Sequence, residues 1–421
     1  MSRRFDVLVV GWLAALSLAG AAAAGPLEDG RAAYKRGDFA EALTLLRPLA
    51  EAGNPRAQFG VGWMYRLGQG VPQDYAQAFG WFSKAAAQGE PAAECDLAGM
   101  YYGGHGVTQN FVTAAEWFRR AADQGLANAQ FDLAGLYERG QGLPRDPTLA
   151  AAWDAKAAAQ GHVGAEARLG WIYATGHGVP RDDAAAAGWY RKAADQGHAL
   201  AQANLAAMYQ EGRGVTKDDE VAVTWYRKAA GQGLATAQYD LGIMYANGHG
   251  VLKDGAEAMR WWREAADQDF PDAQFQLGAS YAGGDFAPKD EAVAADWYRR
   301  AADQGYSKAQ LNLGAAYLKG SGVKQDGEAA AKWFRKAADQ GLAGAQYDLA
   351  VAYHAGRGVT GDNVRAYMWL TLAIGRFDAT EAVDRGRAIK SRDDLEGELT
   401  SQQIAEAQRL AKAWTPTVSA K

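Results

Sequence analysis

Histidines recur at one position of a 36-residue pattern, and such a set could in principle bind a metal ion. His105, His177 and His249 occupy this position, and a zinc site needs its imidazoles within bonding distance of one ion. Because two pattern lengths separate each histidine from the next, we expect their side chains to lie too far apart to share an ion. The sequence therefore predicts loop histidines at the surface and no metal site.

Two further patterns could belong to an enzyme but occur in the wrong context. Gly-x-Gly recurs after predicted helices, whereas a nucleotide cradle follows a strand. Asp96, Asp132, Asp240 and Asp348 recur at one position, which predicts a solvated stripe, while a glycosidase needs two carboxylates in different environments. The sequence has no serine–histidine–aspartate order, G-x-S-x-G elbow, paired cysteines or H-E-x-x-H motif. We therefore predict no catalytic residue and no cofactor, and hence a protein that is not an enzyme.

The elements that position these residues repeat without insertion or deletion. Columns of tyrosine, from Tyr65 to Tyr353, and of glycine, from Gly68 to Gly356, keep the 36-residue spacing. A third column consists of nine tryptophans: Trp81, Trp117, Trp153, Trp189, Trp225, Trp261, Trp297, Trp333 and Trp369. Such a pattern predicts stacked copies of one unit, and therefore one long surface rather than a single pocket.

One repeat, residues 234–268, indicates how each copy folds. Leu241 and Tyr245 are spaced for one face of a first helix, which should end at Gly248 because glycine readily adopts the left-handed conformation. Asp254 should cap a second helix, whose apolar face includes the repeated tryptophan. We expect this tryptophan column to fill the core, so that replacing one member with alanine lowers stability by roughly 3–5 kcal/mol.

The repeat also resembles a known family. The resemblance is carried by A-Q-Y-D-L-G-I-M-Y-A-N-G-H-G-V and, further on, W-W-R-E-A-A-D-Q, which are similar to the Sel-one-like repeat, a relative of the tetratricopeptide repeat. Nine such copies cover residues 54–377. The resemblance implies an all-α fold, an α/α superhelical solenoid of helix-turn-helix repeats whose first helices line a concave side. It also implies a scaffold that holds other proteins together.

One copy departs from the pattern. Asp269 replaces the glycine between repeats, and Phe286 and Ala287 replace the Gly-Val of the loop. The sequence leaves two interpretations open, a tolerated loop variant and a local change of curvature.

The regions outside the array have their own composition. Residues 1–24 combine an arginine pair, an apolar run and small residues, which is typical of a secretory signal peptide. We therefore expect a periplasmic or secreted protein with no transmembrane segment in the mature chain, an uncleaved anchor being the alternative. Residues 25–53 resemble a tetratricopeptide hairpin that caps the array. Residues 378–414 should form two capping helices, and 415–421 a disordered tail.

Charge and cysteine content narrow the function further. The chain has 44 Lys+Arg against 49 Asp+Glu, so it offers no broad basic surface and nucleic acid is not an expected partner. The single cysteine, Cys95, excludes an internal disulfide. Neighbouring repeats carry mainly phenylalanine or tyrosine at that position, so we expect Cys95 to be a small apolar filler.

Candidate partner-binding residues come from two columns of the first helices that point inward in tetratricopeptide grooves. Trp63 and Trp171 stand where most repeats carry a small residue, so the repeat itself does not explain them. The predicted concave groove consists of Phe59, Trp63, Phe131, Trp171, Tyr239, Ile243, Phe275 and Tyr347. These aromatic residues suit a protein or peptide partner, or the sugar rings of peptidoglycan or an exported polysaccharide. They could also simply fill gaps between helices, and a β-lactamase-like hydrolase is the least favoured alternative.

Overall fold

The computed structural model describes residues 25–417, and in this part of the chain every regular element is a helix. The predicted all-α solenoid is therefore confirmed. The helices are α1 Pro26–Arg36, α2 Phe39–Glu51, α3 Pro55–Leu67, α4 Tyr75–Ala86, α5 Pro91–Gly103, α6 Phe111–Asp123, α7 Ala127–Arg139, α8 Pro147–Ala159, α9 Val163–Thr175, α10 Asp183–Asp195, α11 Ala199–Glu211, α12 Asp219–Gly231, α13 Ala235–Asn247, α14 Gly255–Ala266, α15 Pro271–Gly283, α16 Glu291–Asp303, α17 Ser307–Lys319, α18 Gly327–Asp339, α19 Ala343–Ala355, α20 Asn363–Ile374, α21 Ala382–Glu396 and α22 Ser401–Ala413.

The described residues form two compact units, one ending at Ala201 and including Arg213–Thr216, the other comprising Gln202–Gly212 and the chain from Lys217 onward. Consecutive helices pack against each other as stacked pairs, from α1 to α10 in the first unit and from α12 to α20 in the second. The signal peptide predicted for residues 1–24 lies outside the described residues.

The ends of the helices follow from the residues predicted to cap them. The side chain of Asp254 accepts hydrogen bonds from the backbone N–H groups of Ala256 and Glu257 at the start of α14. Gly248 ends α13 with φ 75°, a left-handed conformation that glycine adopts without strain. Both predictions made from the repeat are confirmed.

The core of most pairs is an aromatic ring set against a small residue, but the ring belongs mainly to the column after the predicted one. Trp262 is fully buried, and a Cβ added at Gly242 would overlap its ring. The repeated tryptophan column lies further out, and five of its members, Trp81, Trp117, Trp153, Trp189 and Trp333, are only half-buried. Lys336, for example, lies 3.9 Å from the centroid of Trp333. The prediction that this column fills the core is therefore wrong for those five.

A ladder of side-chain hydrogen bonds joins the two helices of each repeat inside each unit. After each second helix from α4 to α18, a glutamine donates its side-chain N–H to a buried acceptor on the preceding first helix. In the first unit these bonds are Gln88 to Gln58, Gln124 to Glu94, Gln160 to Gln130 and Gln196 to Glu166. In the second they are Gln232 to Gln202, Gln268 to Gln238, Gln304 to Gln274 and Gln340 to Gln310. The ladder satisfies polar groups that would otherwise be buried without partners.

Two glycines of the first unit share a left-handed backbone conformation but differ in how closely other atoms approach them. Gly142 and Gly125 both have positive φ, 74° and 92°. A Cβ at Gly142 would overlap the carbonyl group of Phe111, whereas a Cβ at Gly125 would have no atom within 4 Å. Glycine at position 142 therefore lets the loop approach the start of α6.

We expect Gly142→Ala to lower the free energy of unfolding by about 2–3 kcal/mol. Gly125→Ala, which adds the same left-handed strain without a clash, should lower it by about 1–2 kcal/mol. Urea unfolding of both variants measures the difference, and equal losses would mean that the loop at Gly142 has room to relax.

The irregular repeat keeps the local geometry of its neighbours. Asp269 takes φ 60°, the left-handed conformation of the glycine that it replaces, and is the only non-glycine residue between 25 and 417 with positive φ. Phe286 lies against Gly255, where a Cβ would approach its ring to 2.6 Å, and makes an edge contact with Trp262 at 5.8 Å. The larger loop side chain is thus accommodated by a glycine on the preceding repeat.

Two helices cover the C-terminal end of the array. The apolar helix α20 packs against α21 and α22, and Trp369 contacts Trp414 edge-on at 5.9 Å. A short 3-10 helix, Ala379–Glu381, precedes α21. The tail predicted to be disordered is described only as far as Thr417, which donates a hydrogen bond to the carbonyl oxygen of Asp339 at 2.8 Å.

Candidate partner-binding site

Five predicted groove residues pack between helices. Phe59 is 5% exposed and contacts the ring of Phe82 at 5.7 Å. The others are half-buried beneath neighbouring side chains: Phe131 against His162 and Arg168, Tyr239 against Phe270, Phe275 against Tyr298 and Tyr306, and Tyr347 against the core around α20. Their packing accounts for their residue types, and their role in binding stays a prediction.

The three remaining predicted residues differ in exposure. Ile243 is half-buried against the core of its repeat. Trp63 is half-buried, and its indole N–H donates to a carboxylate oxygen of Asp96 at 2.8 Å. Trp171 is 42% exposed and lies 5.1 Å from the His177 ring. Trp171 is therefore the predicted residue that most clearly presents an aromatic surface to solvent.

Four of the eight residues belong to the first unit and four to the second. Phe59 and Trp63 contact each other, with ring centroids 6.4 Å apart. Phe131 lies below Arg168, which is one helical turn from Trp171. Tyr239, Ile243, Phe275 and Tyr347 lie in the second unit.

Glycines separate the two tryptophans of the first unit. Trp63, Gly99, Gly135 and Trp171 occupy the same position on α3, α5, α7 and α9, and contacts between neighbouring first helices keep this order. A Cβ at Gly99 would meet no atom within 4 Å, so open space lies above that residue. We call the surface formed by these four residues the notch.

Charged side chains lie below and beside the notch. Arg66 forms an ion pair of 2.9 Å with the buried Asp96, and Asp132 is half-buried. Burial raises the pKa of Asp96 to about 6 and that of Asp132 to about 7, although nearby guanidinium groups oppose the rise. In the second unit, Asp240 and Asp348 are half-buried with pKa raised to about 6. The prediction of a solvated carboxylate stripe is therefore wrong, because the neighbouring helices cover it.

One repeat beside the notch has an ion pair in place of its core ring. Asp154 is 0% exposed and occupies the position held by Phe118 and Tyr190 in the adjacent repeats. Both of its oxygens accept from the guanidinium of Arg168, at 2.5 Å for Nε. Sequence analysis missed this pair. A comparison of the aromatic column would have found it, because Asp154 is the one charged residue there.

We expect Asp132→Asn to stabilise the protein at pH 8 and to have little effect at pH 4. Because the pKa of Asp132 is raised from 3.8 to about 7, the folded chain keeps a proton that the unfolded chain has lost. The free energy of unfolding therefore falls as pH rises between those values. Asparagine does not titrate, so we expect the free energy of unfolding of Asp132→Asn at pH 8 to be higher by about 1–3 kcal/mol.

Urea unfolding at the two pH values measures this effect. Asp123→Asn is the matched control, because Asp123 is an exposed aspartate at the end of α6 in the same unit. A gain for Asp132→Asn of the same size at pH 4 and pH 8 would contradict the explanation.

Other chemistry is limited in the described part of the chain. Between residues 25 and 417, no three histidine, cysteine, aspartate or glutamate side chains are grouped as a metal site. Cys95 is buried, and burial raises the pKa of its thiol well above the usual range. Among the helices of the same residues, none has both the length and the apolar character needed to cross a bilayer.

Comparison with known proteins agrees with the helix pairs. The Sel1 repeat family model matches nine consecutive segments: residues 55–90, 91–126, 127–162, 163–198, 199–234, 235–270, 271–306, 307–342 and 343–374. The chain belongs to the Sel1 repeat family. The predicted family is thus confirmed. Members typically act in protein–protein interaction and are generally non-enzymatic.

Two solved structures are similar to this Sel1 repeat protein over most of their length. One is a protective antigen present in uropathogenic Escherichia coli strains that displays an SLR fold, with 35% identity, 92% of this chain and 91% of that chain covered, and a TM-score of 0.61. The other is a Sel1 repeat protein from Oxalobacter formigenes, with 33% identity, 79% and 96% coverage, and a TM-score of 0.59. The comparison with curated proteins gives no match.

Proposed function

We propose that this Sel1 repeat protein is an exported, non-enzymatic scaffold of the periplasm or cell exterior, which binds an extended segment of a partner protein in the notch. The observation that carries the proposal is Trp171, which is 42% exposed at a position where the two preceding repeats have glycine. Large aromatic side chains beside a concave surface are frequent anchors of protein partners. A role in envelope signalling or assembly would follow from export.

Export is supported by the sequence of residues 1–24 and by the character of a relative. The similar Escherichia coli protein is described as a protective antigen. Fractionation of cells that produce the full chain tests export, and finding the full-length protein in the cytosol would contradict it.

Cross-linking in the native envelope followed by mass spectrometry tests partner binding. We expect the wild-type chain to form a cross-link to a partner protein, and Trp171→Ala to reduce the amount of this product. Combining Trp63→Ala with Trp171→Ala should reduce it further. Leu252→Ala is the control, because Leu252 is 90% exposed but lies in the second unit. Capture that is the same for all variants would reject the notch as the binding site.

A second candidate is binding of peptidoglycan or an exported polysaccharide, because the exposed Trp171 ring could also stack on a sugar. Purified cell-wall sacculi separate the two candidates. If the wild-type chain sediments with sacculi and the Trp171→Ala variant does not, binding of the polysaccharide is favoured.

A further inference from the structure

Polar groups beside the notch have hydrogen-bonding capacity that the residues between 25 and 417 leave unused. Asp132 makes no hydrogen bond and no ion pair within 4.0 Å to any residue between 25 and 417. Arg139 donates from Nε to Gln141 at 2.6 Å, while its two terminal nitrogens have no acceptor in the same range. A half-buried carboxylate and an exposed guanidinium thus lie two turns apart on α7 without pairing with each other.

Both groups face the glycine floor of the notch. A Cβ at Gly135 would lie 3.1 Å from Nη2 of Arg139 and 3.5 Å from Nη1 of Arg168, so the two guanidinium groups converge above that glycine. Asp132, Gly135 and Arg139 are spaced for one face of α7. The positive charges of Arg168 and Arg139 also oppose the rise in the pKa of Asp132, which agrees with this spacing.

Arg168 is held in place and does not move to pair with Asp132. Its Nε and Nη2 bind Asp154, and Nη2 also donates to the carbonyl oxygen of Phe131 at 2.7 Å. The guanidinium lies 3.8 Å from the centroid of the Phe131 ring. The buried Asp154 therefore fixes one side of the notch.

These groups restrict the chemistry of the occupant. A basic side chain would pair with Asp132 but would be repelled by Arg139 and Arg168. An acidic side chain would pair with the arginines but would be repelled by Asp132. A neutral group that offers a donor and an acceptor together satisfies both. The amide of an extended polypeptide does so, because its N–H and C=O groups alternate along the chain at about 3.3 Å per residue.

We infer that Asp132 and Arg139 bind the main chain of the partner segment, Asp132 accepting from a backbone N–H and Arg139 donating to a backbone C=O. This inference rests on the proposed function and adds the mode of recognition. The partner crosses the open space above Gly99, and Trp171 contacts one of its side chains. Recognition through the main chain tolerates sequence differences, so one notch accepts several segments.

Peptide selection from a library of random, displayed twelve-residue peptides tests the inference with the full chain. The tightest peptide is synthesised in a series in which each backbone N–H in turn is replaced by N-methyl. We expect Asp132→Ala and Arg139→Ala each to weaken binding by about 10-fold to 100-fold, the range for hydrogen bonds to charged groups. One N-methyl position should weaken binding to the unchanged chain by a similar factor.

A double-mutant cycle then assigns the contact. That N-methyl peptide should lose little further affinity for Asp132→Ala, because the same hydrogen bond has already been removed. Asp348→Ala, which removes the equivalent half-buried carboxylate in the second unit, should leave affinity unchanged. Circular dichroism and thermal unfolding check that each variant is folded.

The outcomes separate this inference from the proposed function. If Trp171→Ala abolishes peptide binding while Asp132→Ala and Arg139→Ala leave it unchanged, main-chain recognition is wrong and the notch remains the binding site. Additive losses in the cycle would likewise overturn the inference. If no peptide is selected and sacculi bind through Trp171, both the inference and the proposed function fail.

Discussion

Asp154→Ala is expected to lower the free energy of unfolding by about 3–5 kcal/mol, because it leaves the partly buried guanidinium of Arg168 without its carboxylate. Asp154 is 0% exposed and accepts from two nitrogens of Arg168. Urea unfolding monitored by circular dichroism measures the loss. Asp123→Ala, which removes an exposed aspartate from the same unit, should change stability by less than about 0.5 kcal/mol.

A double substitution shows whether this ion pair serves stability or binding. Asp154→Phe with Arg168→Asn restores residue types that adjacent repeats carry at these positions, Phe118 and Asn204. Replacing a buried ion pair with apolar packing is often neutral or stabilising by about 1–4 kcal/mol. We therefore expect the double variant to be at least as stable as the unchanged chain but to bind the partner segment more weakly. A stable variant that binds normally would contradict a role for Arg168 in the notch.

Trp262→Ala is expected to lower the free energy of unfolding by about 3–5 kcal/mol, because it removes a fully buried ring and leaves a cavity against Gly242. Trp333→Ala is the matched control in the same unit. Trp333 belongs to the more regular tryptophan column but is half-buried, so we expect a loss below about 2 kcal/mol.

Comparing these two variants shows whether regular spacing or burial determines how much a tryptophan contributes to stability. If Trp333→Ala were as destabilising as Trp262→Ala, the repeated tryptophan column would be the principal core after all. Equal small losses would instead mean that the repeat relaxes around position 262.

Much of the fold can be predicted because its determinants are local. Asp254 and Gly248 begin and end helices through their own side-chain and backbone properties, and no distant contact is needed to recognise them. The sequence also predicts two capping helices in residues 378–414, and α21 and α22 lie in this range.

Burial depends on neighbouring helices and is harder to predict. Trp261 and Trp262 are adjacent in sequence, and the repeat pattern alone emphasised the first. Likewise, the recurrence of Asp132 suggested exposure, whereas packing by adjacent repeats raises its pKa to about 7. The repeat pattern does not explain Trp63, whereas the structure shows its indole N–H donating to Asp96 across the repeat boundary.

The candidate site was predicted only in part. Trp171 stood out in its column and is exposed. Asp132, Arg139 and Arg168 did not, because the feature that distinguishes them is their position around Gly135 in three dimensions. Their types alone fit any charged helix surface, and only the geometry around Gly135 shows that they converge.

Photo-cross-linking from inside the notch shows whether a polypeptide binds there. The photoreactive residue p-benzoyl-phenylalanine is placed at Gly99, where the space is open, or at the exposed Leu252 of the second unit as the control. We predict a cross-linked polypeptide from position 99 that is absent from position 252 and is reduced by Arg139→Ala. The same products from both positions, or a cross-link from position 99 to glycan alone, would contradict the binding of a polypeptide in the notch.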